Sequence, residues 1–100
     1  MASINVVLAL GMWLKKSEDC ISALGYTVKT KQSDEKNQAA LELSGGVLAS
    51  IGVWGREGSL DLDYLLPTEA AGRTAYFHFD TEKELHQALD ECLVIISSVG

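Results

Sequence analysis

Two runs of alternating apolar residues around a four-residue turn constrain the fold of this chain more than any other feature. Val47, Ala49, Ile51 and Val53 recur at period two, and so do Leu60, Leu62 and Tyr64. Between the runs stands Gly55-Arg56-Glu57-Gly58, with a glycine at each end of the turn. Such a pattern reads as a β-hairpin over residues 46–65. One face of its second strand is apolar and the other carries Asp61 and Asp63. A strand patterned that way is buried on one side and wet on the other. The wet side is the first place to look for function.

The flanking sequence supplies two helices and three more strands. Ile4, Val7, Leu8, Gly11, Met12, Leu14, Ile21 and Leu24 recur at close to the helical period, so residues 3–24 are expected to form a helix with that stripe inward. Trp13 falls off the stripe, which puts it at the rim of the core or within reach of a partner. Gly25 closes the helix in the manner of a left-handed C-terminal cap. Residues 26–31 alternate and are rich in β-branched side chains, giving a first strand whose lysines suit a sheet edge. Residues 32–38 read as a charged, mobile loop. Residues 39–44 make a second strand with Leu41 and Leu43 inward and Glu42 outward, followed by a Gly45-Gly46 turn into the hairpin. Residues 67–72 form a loop, and residues 73–79 a fifth strand with Ala75, Phe77 and Phe79 on one face. Thr81 and Glu84 have the spacing of a capping box. After them, Leu85, Ala88, Leu89, Cys92, Leu93 and Ile96 trace an amphipathic helix that should end near Ser97.

Neither helix lies between two strands, so no parallel crossover is required. The fold expected is α+β: an antiparallel five-stranded meander with the N-terminal and C-terminal helices packed on one face. No repeat or linker interrupts residues 1–100, and 100 residues cannot divide into two adequate cores, so one domain is expected. The formal net charge of −6 opposes phosphate backbones and anionic lipid surfaces, which disfavours nucleic acid and membrane as partners and favours a basic protein. Residues 1–14 lack a positively charged start, carry Lys15 and Lys16 after the apolar run, and are too short to span a bilayer. They are expected to belong to a buried helix of a cytoplasmic protein. Cys20 and Cys92, each on an apolar stripe, read as buried free thiols.

Strand parity then assigns an open sheet face bearing Thr27, Lys29, Lys31, Glu42, Ser50, Trp54, Asp61, Asp63, Tyr76 and His78. Aromatic groups interleaved with carboxylates suit protein binding, because Trp and Tyr anchor while acids steer a cationic partner. The binding residues expected are Trp54, Asp61, Asp63, Tyr76 and His78, with Glu42, Arg56 and Glu57 at the rim. Asp61 and Asp63 have no acidic group fixed opposite them for general acid–base chemistry, and His78 and His86 have no ligand partner at metal spacing. No nucleophile elbow surrounds the serines and no phosphate-cradling loop surrounds the glycines. No catalytic residue, metal or cofactor is therefore expected.

The run Ala-Ser-Ile-Gly-Val-Trp-Gly-Arg-Glu-Gly-Ser-Leu-Asp-Leu-Asp-Tyr-Leu at residues 49–65 resembles the Val-Trp, short-turn, Leu/acid strand pattern of TriTu-type immunity proteins. The spacing to Tyr76-Phe77-His78-Phe79 and to the closing helix of residues 84–96 agrees, and the N-terminal helix is compatible. Gly55 departs from the pattern, which has a polar residue after the Trp. The resemblance implies a bacterial, cytoplasmic immunity protein. Its cognate partner would be a Rhs or type VI ADP-ribosyltransferase toxin that modifies elongation factor Tu, bound one to one by covering the NAD or substrate cleft. A small acidic secretion chaperone or adaptor that binds an effector segment is the competing expectation.

Overall fold

The computed structural model describes residues 4–66 and 70–99. Ser3 of the expected first helix and residues 67–69 of the expected loop lie outside the described residues. The chain runs α1 (Val6–Ala23), β1 (Thr27–Ser33), β2 (Gln38–Ser44), β3 (Leu48–Trp54), β4 (Ser59–Leu65), β5 (Arg73–His78) and α2 (Glu82–Val99). The five strands pair antiparallel in sequence order, β1-β2-β3-β4-β5, and the fold is the expected α+β meander. α1 packs over β1 and β2, α2 over β4 and β5, and the two helices touch each other. The core is one apolar layer between helices and sheet, centred on Leu41, Ile51, Leu60, Leu62, Leu85, Leu89 and Ile96.

Local chemistry explains where each helix begins and ends. Asn5 caps α1, its side chain accepting from Leu8 N–H at 3.0 Å. At the other end Gly25 takes φ +88°. Its N–H donates to the Ser22 carbonyl at 2.9 Å, and Tyr26 N–H donates to the Ile21 carbonyl at 3.2 Å. These two bonds are the paired pattern of a Schellman cap, with buried Ile21 and Tyr26 as its apolar contact. α2 opens on the capping box: Glu84 N–H donates to Thr81 Oγ1 at 3.1 Å, and Thr81 N–H to Glu84 Oε1 at 3.2 Å. The helices are parallel and joined by two polar contacts, Trp13 Nε1 donating to Asp90 Oδ1 at 2.9 Å and His86 Nε2 lying 3.0 Å from the Ala9 carbonyl.

Four expectations need correction. The inward face of α1 is formed by Val6, Ala9, Leu10, Trp13 and Ile21, whereas Leu8 and Met12 of the expected stripe stand 62% and 50% exposed. Trp13 is accordingly a core residue, 1% exposed, and not a rim residue. The reason is that residues 6–14 are apolar on every side of the helix, so two stripes with helical period coexist and packing selects between them. Cys20 is exposed because it lies off the selected face, while Cys92 is buried as expected. Finally, residues 32–38 are not a mobile loop. β1 continues to Ser33, and a four-residue turn leads directly into Gln38.

That turn is held by Asn37. Its backbone sits at φ +52°, a left-handed conformation that Asn tolerates. Its side-chain oxygen accepts from Val6 N–H at 2.9 Å, and its amide nitrogen donates to the Ile4 carbonyl at 2.8 Å. Its own carbonyl accepts from Gly55 N–H at 2.8 Å. A Cβ at Gly55 would collide with the Asn37 side chain. The glycine that departs from the resembled pattern is thus required by close packing of the two turns.

Candidate protein-binding face

Because both helices lie on one side of the sheet, the other side is uncovered. Antiparallel register groups its residues into rows, since directly opposed residues share a face. One row is Gln38, Trp54, Ser59 and His78, the next Ala40, Gly52, Asp61 and Tyr76, and the third Glu42, Ser50, Asp63 and Thr74. Lys29 opposes Glu42 at the β1 edge, and Lys31 Nζ lies 3.9 Å from Glu42 Oε1. The face is therefore polarised: lysines along the β1 edge, carboxylates in the middle, Tyr76 and His78 along the β5 edge.

Six of the expected binding residues come together on this surface: Glu42, Trp54, Asp61, Asp63, Tyr76 and His78. Tyr76 is 76% exposed and stands opposite Asp61. Trp54 is half-buried, its ring laid along the sheet over Gly52. A Cβ at Gly52 would fall 2.5 Å from Trp54 Cη2 and 2.8 Å from Asp61 Oδ1, so a glycine there is what lets the indole and the carboxylate converge. Trp54 is in part a cover for its own strand and in part a flat apolar floor. Asp63 accepts from Thr74 Oγ1 at 2.6 Å, which fixes its carboxylate on the face. Desolvation raises the Asp61 carboxyl above its ordinary value, the Asp63 charge raises it further, and backbone hydrogen bonds oppose the shift more weakly. Two like charges held side by side raise each other's cost, and a cationic group placed between them relieves it.

The chain matches no protein-family model, no curated protein and no solved structure.

Arg56 and Glu57 occupy the β3–β4 turn at the end of the sheet, beyond Trp54. Arg56 Nη2 donates to the Glu35 carbonyl at 3.0 Å, so its guanidinium ties two turns together, while Glu57 is exposed. At the opposite end of the same face lies a groove of about 540 Å³ bordered by Leu48, Leu65, Glu42, Asp63 and Lys29. Leu48 and Leu65 oppose each other and are both exposed. They were absent from the sequence-based set, although one further step of parity from Ser50 and from Asp63 reaches them. Among the described residues, no three His, Cys, Asp or Glu side chains converge as a metal site requires. No helix among them is long and apolar enough to cross a membrane.

Proposed function

We propose that this protein is an immunity protein whose uncovered sheet face binds and neutralises a cognate antibacterial ADP-ribosyltransferase toxin in the cytoplasm of the bacterium that makes both. The observation that carries the binding reading is the pair Asp61 and Asp63 on one strand face, with the exposed Tyr76 directly opposite Asp61 on the neighbouring strand. An uncovered aromatic group beside clustered carboxylates suits a cationic protein surface. The family resemblance at residues 49–65 supports the identity of the partner. A cleft that accepts the pyrophosphate of NAD is typically lined by positive charge and backbone N–H groups, and an acidic face complements it. Covering that cleft one to one excludes NAD or elongation factor Tu. The immunity protein itself supplies neither cofactor nor chemistry in this scheme.

The test is to measure binding of the purified protein to the toxin domain by calorimetry, alongside label transfer from NAD to elongation factor Tu. Tight one-to-one binding that abolishes transfer is expected, with loss of both effects in the Asp61→Lys, Asp63→Lys double variant. Undiminished transfer at saturating immunity protein would overturn the reading. The secretion-chaperone alternative draws on one observation, the exposed Leu8 and Met12 of α1. It requires binding to an unfolded effector segment in preference to a folded toxin domain, which the same calorimetry distinguishes.

A further inference from the structure

The outer side of α1 carries an apolar strip that none of the described residues covers. From Val6 to Leu14 the helix has no polar or charged side chain, and a helical segment apolar all round is ordinarily buried on all sides. Val6, Ala9, Leu10 and Trp13 face the core, which leaves Leu8 and Met12, one turn apart, in solvent. Between them Gly11 is open, with nothing within 4 Å of where a Cβ would stand. Another helix can approach closely there. The strip borders a groove of about 460 Å³ between α1 and the edge strand β1, which includes Lys15, Gln32 and Asp34.

The charges of this groove are ordered along it. The bond from Val6 N–H to Asn37 holds the β1–β2 turn beside the start of α1, so Asp34 flanks the Leu8 end. Lys15 lies about two helical turns further on. A surface that is apolar in the middle, negative at one end and positive at the other is complementary to itself under a two-fold rotation.

We infer that this strip is a self-association surface, on which two copies pair their α1 helices antiparallel about an axis near Gly11. Leu8 and Met12 of one copy cover those of the other, and each Lys15 meets the Asp34 of its partner copy. So few side chains take part that the contact falls below the roughly 800 Å² per partner of a stable complex. Association is therefore weak and reversible, visible only at high concentration. The open sheet face lies on the far side of the molecule from α1, so pairing leaves both of those faces free. The inference stands independently of what that face binds.

Sedimentation velocity across a concentration series, from low micromolar to several hundred micromolar, tests it. The wild type is expected to shift from monomer towards dimer, and Met12→Glu to stay monomeric throughout. Circular dichroism of Met12→Glu checks that the variant is folded. Lys15→Asp and Asp34→Lys are each expected to weaken the dimer, and the double variant K15D/D34K to restore it. A wild type that is monomeric at the highest concentration would overturn the inference. So would a dimer indifferent to Met12→Glu, or one that the K15D/D34K pair fails to restore.

Discussion

Asn37 is a polar side chain with long-range structural consequences. It satisfies a backbone donor at the start of α1, a position 31 residues away in sequence, and leaves no space for a side chain at Gly55. An unmet donor at a partly buried helix start costs about 1–3 kcal/mol. Asn37→Gly keeps the left-handed backbone accessible while removing both side-chain bonds. Urea unfolding is expected to show it destabilised by about 2 kcal/mol. Asp61 works in the opposite direction. Its carboxyl is raised above the ordinary 3.8, so the folded state holds the proton more tightly than the unfolded one. Its charged form therefore costs stability at neutral pH. That cost is relieved as pH falls through the raised value and is gone below 3.8. Asp61→Asn is expected to raise the melting temperature at pH 7, by less than about 1 kcal/mol in stability because the group is half-exposed. The advantage should shrink as pH falls, and calorimetric melting at several pH values checks the sign. That expense, on a face that the fold leaves open, accords with the binding role proposed for Asp61. Cys92 needs no such account: burial, assisted by Glu91, pushes its thiol up to about 12, which leaves it inert at neutral pH.

Among the elements, α2 is the one most completely foreshadowed by its sequence. Its capping box and its single apolar stripe identify the start and the inward face without reference to the rest of the chain, and both are found as expected. The box is exposed and local, so its contribution is separable. Thr81→Ala is expected to cost about 1 kcal/mol, measured by chemical denaturation, and Glu84→Ala a comparable amount, because the Glu84 carboxylate accepts from the N–H groups of Asp80 and Thr81 and from the Thr81 hydroxyl. The hairpin was equally legible. Period-two alternation fixes which residues share a face, and antiparallel pairing then places Asp61 beside Tyr76 and Asp63 beside Thr74. α1 was legible as a helix but not in its orientation. Nine successive apolar residues from Val6 satisfy the helical period on two faces, and the indole of Trp13 finds its partner Asp90 on α2, 77 positions later.

For the molecule as a whole, the proposed function rests on an imbalance: two helices cover one side of a five-stranded sheet and leave the other to solvent. Affinity for a partner should then be separable from stability. Tyr76 is 76% exposed and contributes little to the fold. Tyr76→Ala is expected to leave the melting temperature unchanged while weakening binding to the proposed toxin partner at least tenfold, about 1.4 kcal/mol or more, as read by calorimetry. The elements, the antiparallel order, the parity of the open face and the cap of α2 were determined by the sequence itself, because each rests on residues within a few positions of one another. The tertiary structure alone decided which side of α1 is buried, that Trp13 is core and Cys20 is not, and that Asn37 binds the two turns to the first helix. It also decided how far Trp54 lies down upon Gly52. These depend on contacts between residues tens of positions apart, and a local period cannot select between two apolar faces or reveal a hydrogen bond that exists only after the chain has closed upon itself.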